Sequence, residues 1–299
     1  MKILLFGKNG QVGRELQRSL PPLGSLIALD RQSQDMCGDL ANLEGLAQTI
    51  REVKPDIIVN AAAYTAVDKA ETESEKADLI NAQAPTVLAE EAHKCGALLI
   101  HYSTDYVFDG SGSQPWLESD APAPLNVYGA SKRDGERGIQ SSGARHLIFR
   151  TSWVHATHGA NFIKTILRLA KERDQLTIIN DQIGAPTSAA LIADMTTQAI
   201  STAKRKKNLE GLYHLAATGE TSWHGYAQFI VSGAKRAGIK LKTSPATILP
   251  ISSDQFPTAA KRPLNSRLNT TKFEQSFGLV LPAWQQGAAR TLDEILAQE

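Results

Sequence analysis

Short apolar runs alternate with amphipathic stretches through the first half of the chain. The apolar runs are ILLF, SLIALD, DIIVNAAA, ALLIHYSTDYVF and HLIFRTSWV. Helical spacing fills the gaps between them, including a long helix from about Ser74 to Lys94 and another helix from Tyr128. Continuous apolar strands separated by helices are typical of a parallel sheet covered on both faces. Because crossovers are right-handed, we predict an α/β fold with a doubly wound parallel sheet, which binds ligands at the carboxyl ends of its strands.

The alternation weakens after Val154. Helical patterns around NFIKTILRLAKE, AALIADMTTQAI and GYAQFIVSGAKRAG are separated by irregular segments that contain proline. We therefore predict a dinucleotide-binding (Rossmann) domain over residues 1–154, with a return segment near 185–217. A smaller, mainly helical substrate-binding lobe is predicted over residues 155–184 and 218–299.

Charge and cysteine content exclude several classes of protein. The chain of 299 residues has a formal net charge of +1, without the one-sided excess that nucleic acids or membrane surfaces select. No apolar run approaches the roughly 20 residues that cross a bilayer. Cys37 and Cys95 are too few and too isolated for a disulfide framework or a zinc site. We expect a cytoplasmic protein without nucleic-acid or membrane partners.

A glycine-rich turn follows the first predicted strand. The segment GKNGQVG places Gly7, Gly10 and Gly13 between that strand and the first helix, with Gln11 and Val12 at the helix start. Glycines allow the backbone to approach a pyrophosphate, and the helix N-terminus offers free N–H groups. The spacing is GxxGxxG and could also serve an ordinary turn, but its position in a βαβ unit favours a dinucleotide.

Other candidate cofactor contacts lie at the ends of the next strands. Asp30 ends the second strand, where a carboxylate can bind the adenosine ribose, and Arg31 can accept a 2′-phosphate. An acid favours NADH and an arginine favours NADPH, so this pair leaves the preference open. The remaining candidates are Asp39, Leu40, Ala62, Ala63, Tyr64 and Thr65.

The segment NVYGASKRD contains the candidate catalytic pair. Tyr128 and Lys132 are four residues apart and share one face of a helix. A free phenol has a pKa near ~10, and a neighbouring ammonium is expected to lower that value. Lys132 can also hold the nicotinamide ribose. A YxxxK pair alone is weak evidence, but here it precedes a strand of the predicted sheet.

Polar residues end the strand of ALLIHYSTDYVF. We expect Thr104, or Ser103, to bond the reacting oxygen, and Asp105 to face the substrate, because open α/β sheets bind ligands at this edge. The structural alternative is that these residues bond the backbone of a turn. That alternative stays open for Ser103.

In this order, the motifs GKNGQVG, NAAA, STDYVFDG and YGASK resemble the extended short-chain dehydrogenase/reductase superfamily. Within it the chain is similar to reductases of a dTDP-linked 4-ketosugar, through PDIIVNAAAYTAVDKAE, PLNVYGASK, FRTSWV, NDQIGAPTS and RPLNSRLN. The resemblance implies reduction of the C4 ketone with hydride from NADPH or NADH. It implies that Tyr128 supplies the proton, that Lys132 tunes Tyr128, and that Thr104 adjusts the hydrogen bonding.

The same resemblance assigns substrate contacts. It implies that Asp105 and Trp153 contact the sugar nucleotide and that Arg262 contacts its diphosphate. Trp153 can stack on a sugar face, or it can belong to the core. Arg262 is a suitable bidentate phosphate ligand, and the neighbouring Arg267 stays undecided between that role and a surface ion pair.

One departure concerns magnesium. Some members of the family form a dimer linked by magnesium and glutamates, which Glu15 and Glu294 could match, but Ala190 stands where the middle ligand is expected. Magnesium requires oxygen ligands, which an alanine side chain lacks. We therefore predict no metal site, and monomer and homodimer both stay open.

Two other functions use similar motifs. A nucleotide-sugar epimerase or dehydratase also has a Tyr–Lys pair, but a dehydratase needs a second acid beside Asp105, and STDYV supplies none. A catalytically silent, NADP-binding regulator is the third alternative. The intact set of Thr104, Tyr128 and Lys132 argues against silence.

Overall fold

The computed structural model describes residues 1–206 and 208–298. Its strands are β1 (Lys2–Phe6), β2 (Ser25–Leu29), β3 (Ile57–Asn60), β4 (Leu98–Thr104), β5 (His146–Thr151), β6 (Val154–His155), β7 (Leu176–Ile179), β8 (Ile183–Gly184), β9 (Thr187–Ser188), β10 (Gly211–His214), β11 (Thr221–Ser222) and β12 (Ile248–Ile251). Its helices are α1 (Gln11–Ser19), α2 (Leu43–Val53), α3 (Val67–Ala70), α4 (Ser74–Asp78), α5 (Ala84–Cys95), α6 (Val127–Ser141), α7 (Phe162–Glu172), α8 (Ala189–Arg205), α9 (Trp223–Arg236), α10 (Thr271–Phe277) and α11 (Trp284–Leu296).

Six parallel strands form the central sheet in the order β10-β5-β4-β3-β1-β2. The order reverses between β1 and β3, which places a crevice at the carboxyl ends of these strands. Every residue of β3 and β4 is buried, because helices cover both faces of the sheet. The predicted doubly wound α/β fold is confirmed.

The smaller lobe packs around its own apolar cluster. Its helices α7, α9 and α11 bury one face each against the others, and β7 pairs in parallel with β12 beside them. The chain returns from this lobe to the sheet, where α8 packs against α1 and β10 pairs with β5. Residues 207 and 299, which fall in the predicted return segment and lobe, lie outside the described residues.

The predicted long helix from Ser74 to Lys94 is interrupted. A π-helical turn over Leu79–Gln83 separates α4 from α5, and Pro85 lies in the first turn of α5. Because proline has no N–H, it fits a helix start better than a helix interior. The π turn presents Asn81 towards the neighbouring loop and α6.

In the part of the chain that the structure describes, none of the helices combines the length and the apolar composition that crossing a bilayer needs.

Candidate active site

The first turn of α6 positions the predicted Tyr–Lys pair. Asn126 caps the helix by accepting the N–H of Gly129 at 2.7 Å, and its amide nitrogen donates to the carbonyl of Lys261 at 2.7 Å. The cap fixes where the helix begins. It thereby places Tyr128 in the first turn and Lys132 one turn further along the same face.

Lys132 is almost completely buried, with 1 % of its surface exposed. Its Nζ donates to the carbonyl oxygen of Tyr102 at 2.6 Å and lies 3.1 Å from Nε2 of His101. Burial lowers the pKa of Lys132 to about 8, and Glu136 on the same helix acts in the opposite direction. The ammonium is therefore much easier to deprotonate than an exposed lysine.

The expected lowering of the pKa of Tyr128 is not what the structure shows. Burial raises the pKa of Tyr128 to about 12; the Thr104 hydroxyl opposes this rise, and Asp105 adds to it. The reason is that the Lys132 nitrogen is bonded to Tyr102 and His101, so desolvation of the phenol dominates. A phenol that stays protonated at neutral pH is the form that a proton donor requires.

Thr104 ends β4, Asp105 follows it directly, and both lie close to the phenol of Tyr128. The Thr104 hydroxyl donates to Oδ1 of Asp105 at 3.1 Å and accepts the N–H of Tyr106 at 3.1 Å. Burial raises the pKa of Asp105 to about 6, against hydrogen bonds from Ser266 and Thr104. Within residues 1–206 and 208–298, Asp105 Oδ2 and Ser103 Oγ are buried without a hydrogen-bond partner. Orphaned buried oxygens suit contacts with a polar ligand.

The glycine loop is packed too tightly for side chains. Gly7 has φ +88°, and a Cβ there would lie 2.6 Å from the nitrogen of Ala62. A Cβ on Gly13 would lie 2.0 Å from the carbonyl oxygen of Gly7. No side chain caps α1, whose N-cap is Gly10, so the N–H groups of its first turn, which includes Gln11 and Val12, can bind an anion. The loop fits the phosphates of a dinucleotide.

Asp30 and Arg31 follow β2 beside this loop. Asp30 is bonded to Asn9, to the N–H of Gln32 at 3.0 Å and to the Ser33 hydroxyl at 3.1 Å. Desolvation tends to raise the pKa of Asp30, but the bonds from Gln32 and Ser33 and the nearby charge of Lys8 hold this pKa below its usual value. Arg31 is exposed. An ionised acceptor for ribose hydroxyls and an exposed guanidinium thus lie side by side.

The remaining predicted cofactor residues lie along the same edge of the sheet. Asp39 is partly exposed, whereas Leu40 is buried in the core beside α2. Ala62, Ala63, Tyr64 and Thr65 form the loop after β3.

Asn81 holds this loop and was missed by the sequence reasoning. Its Oδ1 accepts the N–H of Tyr64 at 2.8 Å, and its Nδ2 donates to the Tyr64 carbonyl and to Ser131 on α6. The π turn that presents Asn81 leaves no clear signal in the sequence.

Trp153 is partly buried and packs against the apolar cluster of the second lobe, and it stacks on Trp223, which forms part of a wall of a large cleft. Its ring is 3.6 Å from that of Trp223, at an interplanar angle of 11°, and its backbone is left-handed with φ +48°. A Cβ on Gly184 would lie 2.8 Å from the Trp153 ring, so the ring is confined on that side as well. Trp223 donates to Gln182 at 3.1 Å. Sequence reasoning missed Trp223, although a tryptophan directly after the capping Ser222 was a usable signal.

A large cleft of about 1130 Å³ opens beside this wall. Tyr106, whose ring lies 5.7 Å from that of Tyr128, and Arg262 line one part of the cleft, and Trp223, Phe162 and Phe256 line it from the second lobe. Such a volume suits a ligand the size of a sugar nucleotide.

Two arginines of the segment KRPLNSR lie near each other but have different surroundings. Arg262 lines the cleft, and its guanidinium donates to Asp68 at 2.7 Å and to the Ala260 carbonyl at 3.3 Å. Arg267 forms an ion pair with Glu220. Of the two, only Arg262 belongs to the lining residues of the cleft.

The residues expected for magnesium lie in a separate pocket and do not fit the ion. Glu15 accepts from Arg18 at 3.0 Å, Glu294 accepts from Arg290 at 2.9 Å, and Ala190 contributes only a methyl group. No group of three or more His, Cys, Asp or Glu across the described ranges could hold a metal ion. The two carboxylates are neutralised by arginine rather than arranged for a cation.

The family model of the RmlD substrate binding domain matches residues 1–297. This chain belongs to the RmlD family.

Two named relatives are closely similar to this chain over their whole length. A dTDP-4-dehydrorhamnose reductase of Escherichia coli K12 is 58% identical over 295 residues, which cover 99% of this chain and 98% of the relative. One of Burkholderia thailandensis is 44% identical, with both chains covered to 100%.

Solved structures show the same architecture. The crystal structure of the Bacillus anthracis dTDP-4-dehydrorhamnose reductase in complex with NADP is similar, with a TM-score of 0.88 and 36% identity, and covers 98% of this chain and 99% of its own. A UDP-glucose 4-epimerase of Thermus thermophilus, at 18% identity and TM-score 0.79, shares the fold.

Proposed function

We infer that this chain is a dTDP-4-dehydrorhamnose reductase, which reduces the C4 ketone of dTDP-4-dehydro-L-rhamnose to give dTDP-L-rhamnose, the last step of dTDP-rhamnose synthesis. The observation that carries the inference is the intact set of Thr104, Tyr128 and Lys132 at one strand edge, in a chain that matches named reductases from end to end. A ketone becomes an alcohol by gaining one hydride and one proton, so the site must bring a hydride donor and an acid to the same carbonyl.

A bound NADPH, or NADH, would supply the hydride. The glycine loop and the start of α1 would hold its phosphates, and the Asp30–Arg31 segment would bind the adenosine ribose. NADP in the Bacillus anthracis relative supports NADPH as a substrate.

Tyr128 would donate the proton to the oxygen of the reduced ketone. Its raised pKa keeps the phenol protonated until negative charge develops on that oxygen. Thr104 would donate a second hydrogen bond to the oxygen after exchanging its bond with Asp105. Lys132 would hold the ribose and stabilise the phenolate that remains.

The substrate would lie in the cleft between the lobes. Asp105 would accept sugar hydroxyls, since its Oδ2 is buried without a partner among the described residues. Trp153, stacked on Trp223, would support the sugar face, and Arg262 would bind the diphosphate after release from Asp68. The cytoplasmic location is a prediction from the sequence, as is the expectation of either a monomer or a homodimer.

The test is oxidation of the reduced cofactor with enzymatically generated dTDP-4-dehydro-L-rhamnose, followed at the nicotinamide absorbance. We expect turnover with NADPH, NADH or both, and dTDP-L-rhamnose as the product. Absence of oxidation with both cofactors, in a preparation that binds NADPH, would exclude the reductase.

A further inference from the structure

Three buried polar side chains form a chain of hydrogen bonds from the loop after β3 to α6. Asn60 ends β3, His101 pairs with it on β4, and Lys132 lies on α6. Each of the three is 1 % exposed. Asn60 Nδ2 is 3.1 Å from His101 Nδ1, and His101 Nε2 is 3.1 Å from Lys132 Nζ. The sequence motifs predict neither His101 nor Asn60 as a site residue.

The orientation of Asn60 fixes the proton of the imidazole. The N–H of Ala62 donates to Oδ1 of Asn60 at 3.2 Å, so the amide nitrogen of Asn60 faces His101. An amide nitrogen only donates, and His101 Nδ1 must therefore accept. A neutral imidazole with Nδ1 as acceptor carries its proton on Nε2.

That proton points at Lys132. An ammonium has three donors and no acceptor, so a charged Lys132 would place two donors against each other at 3.1 Å. A neutral amine resolves the conflict, because it accepts from Nε2 of His101 while it donates to the Tyr102 carbonyl at 2.6 Å. With Asn60 in this orientation, every group is satisfied only when Lys132 is uncharged.

Charging Lys132 requires the opposite arrangement. Nε2 of His101 then accepts from the ammonium, Nδ1–H donates, and Asn60 must turn its oxygen towards the ring. The N–H of Ala62 then loses its acceptor, which disfavours this arrangement unless another acceptor replaces the Asn60 oxygen. This N–H borders the glycine loop, since a Cβ on Gly7 would lie 2.6 Å from the Ala62 nitrogen.

We propose that His101 is a positioning residue for Lys132, and that its tautomer couples the charge of Lys132 to the Ala62 amide beside the glycine loop. A ligand group that accepts from Ala62 would favour the charged lysine, and by linkage the charged lysine would favour that ligand. The proposal rests on the proposed function in one respect, the use of Lys132 in catalysis; the hydrogen-bond network itself can be tested without turnover.

Both charge states of Lys132 are accessible near neutral pH, because burial lowers its pKa to about 8. The imidazole takes no proton in this range, since burial and then the lysine charge hold the pKa of His101 well below its ordinary value of 6.5. Glu136, one turn further along α6, opposes the lowering of the Lys132 pKa and is itself paired with Arg150 of β5. Tyr128 lies one turn before Lys132 on α6, and Asp105, which follows β4, acts on Tyr128.

Ring-nitrogen NMR of the histidine-labelled protein without added cofactor tests the coupling. Between about pH 6 and about pH 10 we expect the His101 proton to move from Nδ1 to Nε2, with a midpoint near the pKa of Lys132, about 8, and no imidazolium. The signal is assigned by its loss in His101→Phe. A single tautomer over this range, or an unchanged switch in Lys132→Met, overturns the proposal.

His214 provides the control in the same spectrum. It is fully buried, and its Nδ1 faces the carbonyl oxygen of Asn269 at 3.2 Å, which can only accept. We expect His214 to keep its proton on Nδ1 throughout. The control thus separates a tautomer change at His101 from a general effect of pH on buried rings.

A second experiment reverses the tautomer by substitution. Asn60→Asp accepts both from Ala62 N–H and from His101 Nδ1–H, which frees Nε2 to accept from a charged lysine. We expect the alkaline limb of the turnover profile to move upward by about one pH unit or more. The double variant Asn60→Asp/His101→Phe should lose most of this shift. If it keeps the shift, the carboxylate acts through its field alone and the role of His101 is refuted.

Discussion

The two sides of the cleft are built differently. On the side of the sheet, Lys132 and His101 are each 1 % exposed and are bonded to one another and to the backbone of β4. Elsewhere in the cleft, the Arg262 side chain is 21% exposed, and its partner Asp68 on α3 is 46% exposed. Buried, mutually bonded groups hold one geometry, whereas half-exposed ion pairs exchange partners at little cost. We therefore expect proton chemistry on the rigid side and ligand recognition on the adjustable side.

Tyr128→Phe tests the rigid side most strongly. We expect turnover to fall by about 10³-fold or more, because the lost hydroxyl acts as the acid in the transition state. Cofactor affinity should change less than about twofold. Steady-state kinetics and fluorescence titration with NADPH measure the two effects.

Tyr106→Phe is the matched control, since its ring lies 5.7 Å from that of Tyr128 in an edge-to-face contact. This change should leave turnover far less affected. If Tyr128→Phe turns over near the wild-type rate, Tyr128 is not the proton donor.

Arg150→Met should destabilise the rigid side. Arg150 and Glu136 form two hydrogen bonds at 2.8 Å and 2.6 Å, and both side chains are 3% exposed. Loss of the arginine leaves a buried unpaired carboxylate, so the free energy of unfolding should drop by about 3–5 kcal/mol. Denaturant unfolding measures it.

The double change Arg150→Met/Glu136→Leu should recover much of this loss, because it removes both charges. Arg290→Met breaks the exposed pair with Glu294 and should cost only about 0.5 kcal/mol. Equal losses for the buried and the exposed pair would contradict the difference between rigid and adjustable regions.

Asp105→Asn should stabilise the protein while it impairs substrate binding. Burial raises the pKa of Asp105 from 3.8 to about 6. Between these values the folded state holds a proton that the unfolded chain has released, so Asp105 costs stability as the pH rises through the window, and the cost remains above it. We expect a gain of about 1–3 kcal/mol near pH 7 and almost none near pH 4. Denaturation at both pH values measures the difference.

Asp109→Asn should show the opposite sign. Hydrogen bonds from Ser111 lower the pKa of Asp109, so this carboxylate contributes stability at neutral pH that is lost as the pH falls through its folded-state pKa. If Asp105→Asn loses stability near pH 7, the ionised Asp105 carboxylate stabilises the fold, and the prediction is wrong.

Trp223→Ala gives the smallest expected effect and probes the adjustable side. Removing the partner of Trp153 should raise KM for the sugar nucleotide by about tenfold, with kcat changed by less than about threefold, since the stacked wall orients substrate and not the proton donor. Steady-state kinetics separate the two constants. Trp116→Ala removes a comparable stacked pair with Phe108 outside the cleft lining, and should leave KM unchanged. If Trp223→Ala instead lowers kcat more than it raises KM, Trp223 acts on the chemical step and not on substrate binding.

The site residues that the sequence identified share a local signal. Gly7, Gly10 and Gly13 stand at a strand–helix junction, Thr104 and Asp105 end a strand, and Tyr128 and Lys132 are one turn apart. The ones that it missed are bonded to residues distant in sequence: His101 contacts Lys132 across 31 positions, Asn81 contacts Ser131 across 50, and Trp223 contacts Gln182 across 41. Hydrophobic periodicity and helix-capping signals depend on residues that are close in sequence, so these long-range contacts leave no recognisable sequence pattern.

The sequence by itself determined the order of strands and helices, the doubly wound sheet and the edge at which polar residues gather. These follow from apolar periodicity and from the handedness of crossovers, which are properties of short segments. Only the tertiary structure decided the direction of the pKa shift of Tyr128, the stacking of Trp153 on Trp223, and the hydrogen-bond chain from Asn60 to Lys132. Desolvation and hydrogen-bond partners depend on what the folded chain brings around each group from distant segments, and a local pattern cannot contain that information.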